Sequence, residues 1–251
     1  ALPILQKKRI PVAIWIQTVI TFAAFVILFM APGNDVRVAS EIATWMPGYK
    51  ELSVGNHLFM TIQWMLSSFA NEGKAFFIAI WAAGFLLLVK SKKAKVYQSL
   101  AVVFSVVALL PYAGISFFSE MGIGYIDIEQ CLTELPTWQT MTTQNRIAFF
   151  WWIAAVLFTL VLLWKVTGHS VFISMAFLGG IASEAVLHFS PTIYASGARV
   201  YYLTDLMYLF IILWMVMRMD SEKKKNLFIA GAAALGIINF LSQYSIMLLK
   251  L

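Results

Sequence analysis

Charged residues and cysteine are scarce in this sequence. Charged side chains make up only 12% of the chain, while 61% of it is hydrophobic, whereas a soluble protein usually carries about 25% charged residues. The single cysteine, Cys131, excludes an intrachain disulfide. The low charge content argues against a soluble globular domain and favours a protein embedded in a membrane.

Several short motifs of common enzyme classes are also absent. The chain contains no CxxC, HExxH, P-loop or GxSxG sequence. The three histidines, at positions 57, 169 and 188, do not form a metal-ligand pattern. No cofactor is indicated, and a divalent metal held by carboxylates stays open.

Apolar runs long enough to cross a bilayer recur along the chain. We predict seven spanning helices, at 10–31, 74–90, 96–118, 146–165, 169–189, 199–218 and 226–249. The stretch 52–70 has amphipathic helical spacing, and we interpret it as an interfacial helix that lies at the outer surface or packs against the bundle. The predicted fold class is all-α, a polytopic transmembrane helix bundle that forms one integral membrane domain over residues 1–251.

The basic residues are unevenly distributed. Most of the 18 lysines and arginines lie in four segments, at 6–9, 90–95, 165 and 218–225. Seven spans with an inside N-terminus place all four segments on one face, which the positive-inside rule makes cytoplasmic. The net charge of +6 therefore reflects membrane topology, and it does not indicate nucleic-acid binding.

Four ionisable residues fall in or beside the predicted fifth and sixth helices. Glu184 and His188 are four residues apart and share a helix face, and a short outer turn brings Arg199 and Asp205 to the same depth. Ionisable groups inside a membrane are expensive and indicate function by default. We predict that the four form one polar pocket near the outer leaflet, with Glu184, Asp205 and His188 as candidate catalytic residues. A purely structural bond between Glu184 and His188 stays open.

Four further residues are candidates for substrate binding: Asn34 and Arg37 in the predicted first outer loop, and Tyr194 and Arg199 near the later outer turn. Guanidinium groups bind phosphate oxygens bidentately, and a carboxylate serves as general base or metal ligand. This combination favours a lipid-phosphate-linked substrate. For Asn34 and Arg37, solvated residues after a helix stop are the plainer interpretation.

Two segments resemble a known group of bacterial membrane proteins. They are "APGN…R", which is Ala31 to Asn34 with Arg37, and "SP…Y…R", which is Ser190, Pro191, Tyr194 and Arg199. Both are similar to segments of DUF6056 and GtrII-like proteins, which look like GT-C glycosyltransferases. That resemblance implies a polyprenyl-phosphate sugar used at the outer face. GT-C enzymes typically carry a catalytic acid in an early outer loop. We do not assign that role to Asp35, and we expect the chain to be the C-terminal half of such a protein.

The leading hypothesis is a glycosyltransferase-like membrane protein that modifies a cell-envelope polysaccharide or teichoic acid. Arg37 and Arg199 would hold the lipid phosphate, Glu184 and Asp205 would position the acceptor or assist proton transfer, and His188 would tune Glu184. The expected partners are a polyprenyl-phosphate sugar, membrane lipids and a surface polysaccharide acceptor. The expected location is the bacterial plasma membrane, multi-pass, with the N-terminus in the cytoplasm. A transporter or flippase for a lipid-linked sugar and a non-catalytic scaffold subunit are the rival hypotheses.

Overall fold

A computed structural model describes residues 34–113, 137–168, 171–185, 190–192 and 201–249, with isolated positions between 12 and 30. These residues contain helices and no strands, so the all-α prediction is confirmed for them. The α-helices are α1 (Asn34–Trp45), α2 (Val54–Ser68), α3 (Lys74–Leu88), α4 (Lys95–Leu109), α5 (Thr143–Val166), α6 (Val171–Ala185), α7 (Tyr202–Met217) and α8 (Glu222–Leu249).

The amphipathic stretch is the first half of a longer helical path. α2 begins after Ser53, whose hydroxyl accepts a hydrogen bond from the Asn56 amide, as N-cap residues do. It then runs through one π-helical turn, Phe69–Gly73, directly into α3. α2 contacts α5 and α6 along a face of buried side chains. Of the two placements left open for this stretch, packing against the bundle is the one observed.

Helix α3 lies at the centre of the bundle and contacts α4, α5, α7 and α8. Phe77 and Trp81 are fully buried on it. The indole Nε1 of Trp81 donates a hydrogen bond of 2.8 Å to the hydroxyl of Thr159, which joins α3 to α5. At Gly84 the two helices approach so closely that an added Cβ would stand 2.7 Å from Leu162 Cδ2. Glycine is needed at this crossing because no larger side chain fits without displacing Leu162.

Three of the four basic segments meet at one end of the bundle. Lys90, which follows α3, forms a salt bridge of 2.7 Å with Asp220, which lies between α7 and α8. Asp220 also pairs with Lys224 at 2.9 Å. Lys165, near the end of α5, lies over the ring of Tyr97 near the start of α4. The predicted grouping of these three segments on one face agrees with these contacts, while segment 6–9 lies outside the described residues.

The predicted set of seven spans is not confirmed. Among the described helices, two are long and apolar enough to cross a bilayer, at Asn145–Val166 and Glu222–Leu241. Four further apolar helices, α3, α4, α6 and α7, are 15 or 16 residues long, and a span needs about 20. α4 gives way to a 3₁₀ turn at Leu110–Ala113, where the sequence predicts a kink at Pro111. The predicted span 10–31 falls largely outside the described residues.

Candidate polar site in the helix bundle

The carboxylate of Glu184 lies inside the bundle. Glu184 lies near the C-terminal end of α6 and is only 1% exposed. Its Oε2 accepts a hydrogen bond of 2.9 Å from the hydroxyl of Ser68, the last residue of α2 before the π-turn. The same hydroxyl lies 2.8 Å from the carbonyl oxygen of Met65. Because a hydroxyl carries a single hydrogen, the two acceptors share it. π-turns occur frequently at functional sites, and here one follows the residue that holds Glu184.

Tyr208 on α7 packs against α6, the helix that carries Glu184. Its ring is 1% exposed and stacks on Phe177 with the centroids 5.5 Å apart. Asp205 lies in the first turn of α7 and is partly exposed. Glu184 and Asp205 directly follow Ser183 and Thr204, whose hydroxyls are 3.0 Å apart, so the two predicted catalytic residues lie on facing helices at a similar level.

Close packing of α6 against α7 sets this arrangement. The carbonyl oxygen of Gly180 accepts hydrogen bonds from the hydroxyl of Thr204 at 3.0 Å and from that of Ser183 at 2.7 Å. The two hydroxyls are themselves 3.0 Å apart. Small residues with hydroxyl groups are typical of membrane helix interfaces, because they let the backbones approach. Ser183 and Thr204 immediately precede Glu184 and Asp205, so these bonds fix the depth of both carboxylates.

Three buried polar atoms have no hydrogen-bond partner within the described residues. They are the Tyr208 hydroxyl, Oε1 of Gln63 on α2 and Nε of Arg146 on α5. An unsatisfied buried polar group costs about 1–3 kcal/mol, and more than nine in ten such backbone groups and most side-chain groups are paired in native structures. All three atoms are therefore candidates to bind a polar group supplied from outside the described part of the chain.

The other predicted site residues do not join this cluster. α1 begins at Asn34, so the predicted first outer loop contains a helix, and Arg37 lies on that helix. Its side chain is 74% exposed and forms a 2.8 Å salt bridge with Glu41. His188, Tyr194 and Arg199 lie outside the described residues, and their assignment stays a prediction. Within the described ranges no three His, Cys, Asp or Glu side chains form a group suited to a metal ion.

Sequence reasoning missed the partners of Glu184. Ser68 was visible as a polar interruption of the amphipathic stretch, and the structure shows that it lies on the buried face. Gln63, which the sequence did not single out, is also buried on α2. Tyr202 is 69% exposed, which agrees with a tyrosine at the interface between membrane and water, whereas Tyr208 is buried.

No family model, curated protein or solved structure matches the chain. The resemblance to GT-C-like proteins therefore rests on the two short segments alone and stays a prediction.

Proposed function

We propose that the chain is a multi-pass membrane protein that transfers a sugar from a polyprenyl phosphate to a cell-envelope polymer at the outer face. The observation that carries this proposal is the Glu184 cluster, which comprises Glu184 and Ser68 together with Tyr208 and Asp205 on the facing helix α7. The contact between Ser183 and Thr204 holds the two carboxylate-bearing helices together at this level of an apolar bundle. Intramembrane ionisable residues indicate function by default. Membrane embedding is supported by the two long apolar helices and by the many large apolar side chains on the outside of the bundle.

The two carboxylates have different roles in this proposal. Glu184 is closed off from solvent, so it acts as a positioning residue through Ser68. Asp205 is partly exposed and is the group that contacts substrate. It takes the proton from an acceptor hydroxyl as that oxygen attacks the anomeric carbon. The bond from this carbon to the phosphate oxygen then breaks, and polyprenyl phosphate leaves.

Arginines bind the lipid phosphate at two stages in this proposal: Arg37, which lies outside the Glu184 cluster, captures the donor, and Arg199 holds the leaving phosphate. The Arg37 guanidinium is exposed, and its bond to Glu41 is a surface salt bridge of the i,i+4 kind, which contributes only about 0.3–0.5 kcal/mol. Arg37 can therefore exchange that partner for a phosphate at little expense. Arg199 would supply the second guanidinium, as the sequence motif implies, and His188 would tune Glu184.

A non-catalytic scaffold subunit is the second candidate. It is favoured by the hydrogen bond between Ser68 and Glu184, which satisfies the carboxylate within the protein. Under this alternative the cluster joins α2 to α6 and has no other task. Neutralising Asp205 would then leave sugar transfer unchanged.

The test is complementation of a strain that lacks the native gene. The wild-type gene, Asp205→Asn and Asp35→Asn are each returned at matched expression, and the sugar content of the surface polymers is measured by mass spectrometry. Asp35 is an exposed carboxylate in the first turn of α1, so Asp35→Asn is the matched control.

General acid–base catalysis contributes about 10²–10⁴-fold. We therefore expect Asp205→Asn to lower the initial transfer rate at least about a hundredfold, and Asp35→Asn to leave it unchanged. Full transfer by Asp205→Asn would reject the catalytic proposal in favour of the scaffold.

A further inference from the structure

An apolar groove lies between α3, α4 and α8, away from the Glu184 cluster. Its volume is about 490 Å³, within the range of about 300–1,000 Å³ typical of ligand clefts. Apart from Ser105, the residues that line it are apolar or glycine, among them Phe85, Val102, Gly231 and Leu235. α8 has few buried side chains over the stretch that could span a membrane, so this wall of the groove faces the surroundings.

A buried lysine stands one helical turn beyond the groove. Lys74 precedes the lining residue Ile78 by four positions, and it is only 9% exposed. Its Nζ lies 4.5 Å from the centre of the Tyr112 ring. The Tyr112 hydroxyl donates a 2.5 Å hydrogen bond to Oδ1 of Asn239, which follows the lining residue Ile238. No carboxylate in the described residues forms a salt bridge with Lys74.

The charge and the groove together indicate an amphiphile with an anionic head. A buried ammonium without a counter-charge is costly, and an anion beside Lys74 would relieve that cost. Tyr112 and Asn239 add polar groups at the same end. The rest of the groove offers apolar contact only, which suits a hydrocarbon chain.

The length of the groove distinguishes between lipids. Its lining runs from Ile78 to Leu86 on α3 and from Leu227 to Ile238 on α8, which at 1.5 Å per residue is about 12–16 Å. One leaflet of the hydrocarbon core is about 15 Å thick, half of the roughly 30 Å of a bilayer. An acyl chain of a bilayer lipid therefore fits along the groove from end to end.

We propose that this groove binds one acyl chain of an anionic glycerophospholipid, with the lipid phosphate beside Lys74. The proposal rests on the membrane embedding given under Proposed function, and it does not rest on the transfer reaction. The bound lipid would fill the gap between α8 and the α3–α4 pair. It would belong to the leaflet on the Lys74 side, at the end away from the salt bridge between Lys90 and Asp220.

The chain offers a matched pair of glycine variants for the test. An added Cβ at Gly231 or at Gly236 meets no atom within 4 Å, and both glycines lie on α8. Gly231 lines the groove and Gly236 does not. Leucine at either position has the same effect on helix propensity. The two variants therefore differ in one respect: Gly231→Leu fills the groove and Gly236→Leu does not. Lys74→Met, with the exposed Lys92→Met as control, tests the charge.

The full-length protein is stripped of lipid in a neutral detergent and titrated with phosphatidylglycerol, with native mass spectrometry as the readout. We expect Gly231→Leu and Lys74→Met to weaken binding by about tenfold or more, and both controls to stay within about twofold of wild type. Thermal melting of each variant verifies that it is folded. Glycerol phosphate, which has the head but no chain, should not bind at the same concentrations.

Three results would overturn the proposal. They are no binding of phosphatidylglycerol by the wild type, equal losses in the test and control variants, and displacement of the lipid by polyprenyl phosphate at equimolar amounts. The last result would assign the groove to the sugar donor. Sugar transfer is measured separately, so loss of lipid binding with normal transfer separates failure here from failure of the proposed function.

Discussion

Replacing Ser68 with alanine removes the hydrogen-bond donor that meets the Glu184 carboxylate at 2.9 Å. Glu184 is 1% exposed, so water cannot take the place of that donor. A hydrogen bond to a charged group contributes about 1.5–3 kcal/mol, and we expect Ser68→Ala to lower the free energy of unfolding by that amount. With Glu184→Gln in place the acceptor is neutral, and neutral bonds between membrane helices average about 0.6 kcal/mol. The same alanine should then cost about 0.6 kcal/mol, which gives a coupling energy of about 1 kcal/mol or more.

The four proteins of this double-mutant cycle are unfolded from detergent micelles with sodium dodecyl sulfate, and helicity is followed by circular dichroism. Ser40→Ala, at an exposed serine on α1, is the control, and it should change the free energy by less than about 0.5 kcal/mol. An equal effect of Ser68→Ala in both backgrounds would refute the reasoning. It would mean that the Ser68 hydroxyl serves only the Met65 carbonyl oxygen.

Two further predictions concern helix packing and pH. Gly84→Ala should lower the free energy of unfolding by about 1–3 kcal/mol, because the new Cβ would stand 2.7 Å from Leu162 Cδ2. Gly236→Ala is the control, because an added Cβ there meets no atom within 4 Å. Equal denaturant midpoints for these two variants would contradict this packing. Hydrogen bonds from Lys90 and Lys224 hold the pKa of the Asp220 carboxyl below its usual range. A carboxyl whose pKa is lowered by folding stabilises the folded protein at pH values above its unfolded-state pKa of about 3.9. This stabilisation is lost as the pH falls towards the folded-state pKa. Asp220→Asn should therefore be less stable than wild type at pH 7 and equal to it at acidic pH, and a difference that persists unchanged on acidification would contradict this linkage.

The sequence predicted the helical class and the grouping of basic segments, because both depend on local composition. The long apolar runs became helices, and the basic segments around Lys90 and Lys224 lie together at one end, joined through Asp220. The positions of basic residues in the loops can be read from the sequence, so this grouping can be predicted without knowing how the helices pack. Glu184 was also predictable, because a carboxylate within an apolar helix is conspicuous in any sequence.

The partners of Glu184 could not be predicted, because they depend on which face of α2 is buried. Polar residues in the stretch 52–70 fitted a surface helix as well as a packed one. The π-turn at Phe69–Gly73 carries α2 into α3 without a break, and nothing in its composition announces this. The burial of Lys74 could not be predicted either, since a lysine at a predicted helix end is usually exposed. Only the packing of α4 and α8 shows that it is buried beside Tyr112.

The most direct test of the central claim is the sugar-transfer rate of Glu184→Gln in the full-length protein, measured together with its stability. The introduced amide can still bond with the Ser68 hydroxyl, so the free energy of unfolding should change by no more than about 1.5 kcal/mol. If the cluster is a functional site, transfer to the surface polymer should fall at least about tenfold in this folded variant. An unchanged transfer rate in a folded Glu184→Gln protein would contradict the claim and leave the cluster with a structural role alone.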